Sequence, residues 1–187
     1  MIKLRVYQSA AVAALFDYFA RATGNPLAVL PTGSGKSLVI ADVVTRLDGP
    51  AVVFQPSKEL LEQNLAKLAA YGRRASVFSA SMGRKEIGSI TLATIGSVVR
   101  HPEAFAHVRY GLVDEAHLVN PKGGMYADFF GEHQTMRVFG LTATPFRLAS
   151  NSFGSELRFL TRTVPRIFND VVHETPINRL VAGGYWT

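Results

Sequence analysis

The sequence predicts an α/β fold of three layers, in which a central, mostly parallel sheet carries helices on both faces. Short apolar runs of strand length alternate along the chain with longer segments whose apolar residues recur at helical spacing; that alternation builds parallel strands joined by crossover helices. A glycine-rich turn at residues 31–35 lies between one such run and one such segment. Polar residues gather at the C-terminal ends of successive runs, the edge at which open sheets of this kind bind ligands.

The totals agree. A chain of 187 residues suits a single domain spanning residues 1–187 and is long enough to bury a core. Hydrophobic residues make up 48% and charged residues 18%, a balance that argues against disorder. The net charge of +6 and pI of about 9.8 favour a polyanionic partner such as nucleic acid. With no cysteine, disulfides and thiolate ligands are excluded, zinc is not expected, and a reducing cytoplasmic setting fits. The N-terminal segment carries Lys3 and Arg5 and is interrupted by Gln8 and Asp17, so neither a signal peptide nor a membrane-spanning helix is expected.

The first helix runs over residues 6–22, where Val12, Leu15, Phe16 and Phe19 recur at helical intervals, and Thr23-Gly24-Asn25-Pro26 stops it. At its start Arg5 and Tyr7 offer flat faces to a base, and Gln8 carries the donor and acceptor that complement adenine. A merely polar helix start is the competing reading of this cluster. Residues 27–30 form a buried strand, and Leu38, Val39, Ile40, Val43, Val44 and Leu47 make the stripe of the next helix. Between them Gly33 and Gly35 let backbone amides converge on an anion at a helix start, and Lys36 adds a full charge. In the P-loop pattern the lysine reaches the β and γ phosphates while a hydroxyl, here Ser37, binds Mg²⁺. The strict pattern asks for glycine where Leu30 stands; the core Thr-Gly-Ser-Gly-Lys-Ser is intact.

Asp48-Gly49-Pro50 leads into a strand at residues 51–54, and Ser57 is placed to cap a helix carrying Leu60, Leu61, Leu65 and Leu68. Strands are expected at residues 75–78 and 90–94, separated by a polar connection at 81–88. A helical turn follows Thr94, a short helix begins at His101-Pro102, and a strand at 110–113 delivers Asp114 and Glu115. Adjacent carboxylates at a strand end repel unless a cation receives them. In P-loop enzymes the first such acid holds Mg²⁺ and the second activates the attacking water. A helix at 126–130, a strand at 136–141 ending in Thr142-Ala143-Thr144-Pro145-Phe146-Arg147, a mobile linker at 150–155, a strand at 168–173 and a helix at 176–182 complete the reading. His101, His107, His133 and His173 lack metal-ligand spacing, and Phe78, Phe105, Phe129, Phe130 and Phe139 fall in apolar periodic segments that suit a core.

In order and spacing these segments resemble the first, RecA-like lobe of superfamily 2 helicases of the DEAD/DEAH-box group, a P-loop NTPase lobe, over the whole chain. Arg5 to Gln8 is similar to the adenine-reading motif, Leu30 to Ser37 to motif I, Gln55 to Leu60 to motif Ia and Thr94 to Ser97 to motif Ib. Val113 to His117 resembles motif II in its DEAH spelling, and Thr142 to Thr144 motif III. The spelling Thr-Ala-Thr-Pro-Phe-Arg and the ending from Phe168 to His173, with Gly184-Tyr185-Trp186, look most like RadD-type and restriction-type DNA translocases. Val6 replaces a common proline, and Pro56-Ser57-Lys58 replaces Pro-Thr-Arg, so the bidentate phosphate grip of arginine is absent there.

The resemblance implies an ATP-dependent helicase or translocase lobe. Arg5 and Gln8 would select adenine; Thr32, Gly33, Ser34, Gly35, Lys36 and Ser37 would bind phosphates; Ser37 and Asp114 would hold Mg²⁺; and Glu115 would activate water. Ser57, Lys58, Thr94, Ile95, Gly96 and Ser97 would contact the nucleic-acid backbone, DNA being expected and RNA still open. His117, Thr142 and Thr144 would couple hydrolysis to movement. The resemblance also implies a second RecA-like lobe, absent from this chain, without whose arginines the single lobe should be nearly inactive. The competing reading is a nucleotide-responsive module that binds DNA or protein without turnover; a P-loop enzyme of small molecules would have no use for the adenine motif or for Thr142 to Thr144.

Overall fold

The expected three-layer α/β architecture is present in the structure, a computed structural model that describes residues 3–151 and 154–185. The elements are α1 (Val6–Arg21), β1 (Pro26–Val29), α2 (Lys36–Arg46), β2 (Ala51–Phe54), α3 (Lys58–Ala70), β3 (Ser76–Ser79), β4 (Arg84–Lys85) and β5 (Ile90–Ala93). They continue with α4 (Ile95–Val98), β6 (Tyr110–Asp114), α5 (Met125–Glu132), β7 (Arg137–Thr142), β8 (Phe146–Asn151), β9 (Gly154–Phe159), β10 (Asp170–Glu174) and α6 (Ile177–Ala182). Eight strands form one sheet in the order β10-β1-β7-β6-β2-β5-β3-β4, parallel at every pairing except the short edge strand β4.

Both faces of the sheet are covered, which is why its central strands read as continuous apolar runs and not as alternating ones. Leu27, Val52, Val113 and Val138 point to one face, where Ile95, Phe105, Tyr126 and Phe129 pack on them; Ala28, Val53, Leu112 and Phe139 point to the other, against Leu15 of α1, Val39 and Val43 of α2, and Leu61 and Leu68 of α3. The period of two along each strand therefore builds two cores from one sheet. All the expected core aromatics are buried except Phe130, which is partly so.

Side chains fix how the first strand enters the sheet. The Asn25 amide donates to Ile167 O at 2.9 Å and accepts from Val138 N at 3.0 Å, so one residue sets β1 between β7 and the segment before β10. Arg137 donates to Phe19 O and Ala22 O at 3.0 and 2.6 Å, satisfying carbonyls that the end of α1 leaves open. Gly140 matters for a different reason. A Cβ there would stand 2.7 Å from Leu27 and from Phe168, and 2.8 Å from Ala116, so only glycine lets the segment after the paired acids lie flat on the sheet.

Two expectations for connecting segments are corrected. Residues 81–88 were expected to be a plain polar connection; they contain a 3-10 turn at Ala80–Met82 and the antiparallel edge strand β4. Residues 150–155 were expected to be a mobile linker, whereas Ser150 and Asn151 pair with Ser155 and Gly154 at the end of the β8–β9 hairpin; residues 152 and 153 lie outside the described part. In both places Ser and Gly recur, a composition that hides strands whose hydrogen bonds come from the partner strand and whose residues are not marked by apolar burial.

Candidate nucleotide-binding site

The phosphate loop is an extension of the central sheet. Leu30 N donates to Thr142 O at 2.8 Å, so the strand leading into the loop stays paired with β7 to the last residue. Gly33 and Gly35 both have φ of 78°, and Gly35 is the N-cap residue of α2. A side chain in that left-handed region is strained, and a Cβ on Gly35 would also lie 2.6 Å from Gln8 Nε2. Lys36 and Ser37 open α2, where the unpaired amides of a helix start already favour an anion. The Ser34 hydroxyl is buried with no partner among the described residues.

Gln8, expected to read adenine, does reach this loop, but its amide is turned onto protein. It is 1% exposed; Nε2 donates to Ser34 O at 2.8 Å and Oε1 accepts from Arg5 N at 2.9 Å. The Tyr7 hydroxyl donates to the same Ser34 O at 2.7 Å. Arg5 is exposed, its guanidinium 4.8 Å from the ring centre of Tyr185, which meets Tyr7 edge-on at 5.6 Å. The start of α1 therefore braces the phosphate loop and, with Tyr185, offers a flat aromatic and guanidinium surface beside it.

The paired acids stand at the end of β6, two strands from β1 across β7. Asp114 is buried, its Oδ1 accepting from Glu115 N at 3.0 Å. Glu115 has φ of 54°, and no other non-glycine among the described residues has a positive φ; such a conformation costs on the order of 1 kcal/mol or more and is typical of residues held for function. It aims the Glu115 carboxylate at the loop, where Oε1 lies 2.8 Å from Lys36 Nζ. Lys36 and the acids, far apart in the chain, thus meet on one edge as expected.

Burial, and then the Glu115 charge, push the Asp114 carboxyl up to about 6, against the pull of Lys36, the Glu115 amide and the Asn64 side chain. A carboxylate so placed is short of positive charge. Replacing Asp114 by Asn should therefore stabilise the chain in metal-free buffer. Between 3.8 and about 6 the folded state keeps a proton that the unfolded chain releases, so stability falls as pH rises through that window and the whole cost stands above it. About two pH units correspond to at most ~3 kcal/mol. Thermal melts should show Asp114→Asn above the wild type near pH 8, with the gap closing below about pH 4; equal melting at pH 8 would overturn the assignment.

A chain of contacts leads from the acids to β7. His117 Nδ1 lies 3.3 Å from Glu115 Oε2 and 3.0 Å from Thr142 Oγ1. The Thr142 hydroxyl donates to Thr144 O at 3.0 Å and accepts from Thr144 N at 3.2 Å. Since its single proton goes to Thr144 O, the network places the His117 proton on Nδ1. Lys36, Glu115, His117, Thr142 and Thr144 form one connected line of contacts.

The expected nucleic-acid residues lie farther along the same edge, after β2 and β5, and most are engaged within the chain. Ser57 caps α3 by accepting from Leu60 N, and Lys58 sits 3.7 Å from Glu62. Ser97 Oγ accepts from Ala80 N at 2.8 Å and lies 3.0 Å from Thr94 Oγ1, while Ile95 is buried and Gly96 sits near Met125. Three residues were given no role of their own in the sequence reading. Asn64 occupies the buried stripe of α3 with Leu61 and Leu68 and supports Asp114; a polar residue on an apolar stripe was its signal. Gln55 is buried with both amide atoms unpartnered among the described residues. Tyr185 joins Tyr7 from the far end of the chain, and no spacing could have found it.

Comparison with known proteins places this geometry. The family profile described as "Type III restriction enzyme, res subunit" matches residues 1–147. The Rad25 protein of Haloarcula marismortui, whose name assigns it as a DNA 3'-5' helicase, is 32% identical over 158 residues, which is 78% of this chain and 23% of that protein. The chain therefore spans about a quarter of the length of that relative. Among solved structures, the UvsW helicase from bacteriophage T4 superposes with a TM-score of 0.67 at 19% identity over 92% of this chain and 60% of its own. The type ISP restriction-modification enzyme LlaBIII, solved bound to DNA, gives 0.66 at 16% identity over 97% of this chain and 15% of its own. At such identities the two structures speak for the fold alone. No helix of the described residues is long and apolar enough to cross a membrane.

Proposed function

Because this chain belongs to the type III restriction enzyme res-subunit family and has the N-terminal RecA-like lobe of superfamily 2 helicases, we propose that it binds Mg-ATP and, joined to a second lobe, couples hydrolysis to movement on DNA. The observation that carries this reading is the 2.8 Å contact between Lys36 Nζ and Glu115 Oε1: it joins the phosphate loop to the paired acids at the sheet edge. Nucleotide phosphates would take the Lys36 ammonium and the loop amides, freeing Glu115 to accept a proton from water.

The residues present fit Mg²⁺. Asp114 is a buried carboxylate whose pKa is raised by burial and by the Glu115 charge, and the Ser37 hydroxyl supplies a second hard oxygen donor at the start of α2. Bound there with the nucleotide, the ion would neutralise charge on the β and γ oxygens. Arg5, Tyr7 and Tyr185 would hold the base, and the line from Glu115 through His117 and Thr142 would report hydrolysis to the root of the β8–β9 hairpin. DNA is the expected partner, supported by the +6 net charge and by the name of the Haloarcula relative.

The direct test is nucleotide binding. Calorimetric titration with a non-hydrolysable ATP analogue and Mg²⁺ should give an affinity that Lys36→Ala lowers by about tenfold to a hundredfold, the value of one or two charge-assisted hydrogen bonds. Equal affinity for the folded variant would remove the basis of the proposal.

A further inference from the structure

A second region of chemistry lies outside the nucleotide site. A cleft of about 840 Å³ opens between the β8–β9 hairpin and the loop that follows the paired acids. One wall carries Lys122; the other carries Arg147, Arg158, Phe159 and Arg162. In the ladder Arg147 stands directly opposite Arg158, and like charges facing each other across an antiparallel pair are destabilising. Among the described residues Glu156 pairs with Arg158, while no carboxylate lies within ion-pair distance of Lys122, Arg147 or Arg162. Among the described residues the cleft therefore holds four cations against one paired carboxylate, that of Glu156.

Its apolar content is exposed. Leu148 and Leu157, paired across the hairpin, are 64% and 57% exposed, and Phe159 is 48% exposed with the Arg162 guanidinium 5.5 Å from its ring centre. One exposed ring, Phe159, beside guanidinium groups in excess of carboxylate suits a ligand that brings phosphates and unstacked bases together. A duplex would satisfy the cations but leave the ring idle, because its bases already stack on one another. A protein partner would need acidic and apolar groups alternating on the scale of the cleft, a stricter demand than a strand's repeating phosphate and base.

We infer that the cleft between the β8–β9 hairpin and Lys122 binds a single nucleic-acid strand, its phosphates on Lys122, Arg158 and Arg162 and an unpaired base against Phe159. The inference rests on the reading that the chain acts on nucleic acid, and it adds a contact surface distinct from Ser57, Lys58 and residues 94–97. The hairpin is tied to the nucleotide site at its root. Leu160 N donates to Pro145 O at 2.9 Å, Arg147 donates to Val119 O at 3.0 Å, and a neighbouring hollow joins Leu148 and Leu157 to His117 and Thr144. A strand in the cleft would press on the two residues next to the proposed hydrolytic centre.

The test uses the full chain, a labelled thymidine oligonucleotide, its uridine counterpart and a duplex of equal length, across a salt series. The triple variant Lys122→Gln, Arg158→Gln, Arg162→Gln should lower single-strand affinity, and the slope of log K against log salt should shrink by about two units, as three lost phosphate contacts require. Phe159→Ala should weaken single-strand binding about tenfold and leave duplex binding unchanged. Retained binding of the ATP analogue certifies that each variant is folded; should the triple variant lose it, Lys122→Gln alone, on an exposed loop, is read instead for a smaller loss of slope. An unchanged slope, or losses equal for strand and duplex, overturns the inference. A chain that binds the ATP analogue but neither nucleic acid overturns it as well and leaves the nucleotide site standing, whereas strand binding without nucleotide binding sinks only the nucleotide reading.

Discussion

Replacing Glu115 by Gln in a protein carrying both lobes is expected to lower ATP turnover by about 10² to 10⁴, the usual loss when a positioned general base is removed. Nucleotide affinity should change by no more than a few fold. The two effects separate because Glu115 contacts Lys36 and His117 but contributes no amide to the phosphate loop. Gln is nearly isosteric, so the left-handed backbone at this position, φ 54°, is equally strained in both chains and cancels from the comparison. Steady-state turnover and equilibrium titration of an ATP analogue, measured on the same preparation, distinguish the outcomes. A matching loss in both would assign Glu115 to ground-state binding; undiminished turnover would show that Glu115 is not the general base, and an absence of turnover in both proteins would favour a module that responds to nucleotide without hydrolysing it.

The second large effect concerns the chain by itself. Its ATPase rate should lie near background and rise by about 10³ to 10⁵ when a second lobe completes the site, the range that a supplied arginine contributes in phosphoryl transfer. The structure gives the physical reason to expect a deficit. Lys36 is the cation paired with Glu115, and the exposed Arg5 lies over Tyr185 at the base-reading side. Charge developing on the transferred phosphoryl group would therefore be met by one ammonium, the loop amides and Mg²⁺. Single-turnover hydrolysis by the 187-residue chain, with and without a second RecA-like lobe supplied, measures the gap. Fast, DNA-stimulated turnover by the single lobe would show that its own residues suffice.

These two experiments bear on different parts of the line from Lys36 to Thr144. In the proposed reading Lys36 and Glu115 would serve binding and chemistry, whereas His117, Thr142 and Thr144 share hydrogen bonds that lead toward the hairpin root. That division follows from topology. The loop is threaded onto β1, the acids onto β6 and the threonines onto β7, and β7 lies between the other two. A displacement of β7's end would reach both.

Much of this was legible without coordinates. Alternating apolar periods specify parallel strands and crossover helices, and Gly33, Gly35, Lys36 and Ser37 specify an anion site because few other residue types permit that backbone and charge together. Asp114, Glu115 and the threonines could be placed at strand ends by the same reasoning. The β8–β9 hairpin could not, because its hydrogen bonds depend on a partner strand and its apolar residues are exposed, so no burial pattern announces it. Nor could the inward turn of Gln8 onto Ser34, the approach of Tyr185 to Tyr7, or the support of Asp114 by Asn64. Local pattern determines which segments are strands, helices and anion loops, since those depend on neighbours in the chain. Tertiary packing alone decides which long-range polar partners satisfy one another, because a buried amide or carboxylate takes whichever group the fold brings within about 3 Å, and the sequence carries no record of that distance.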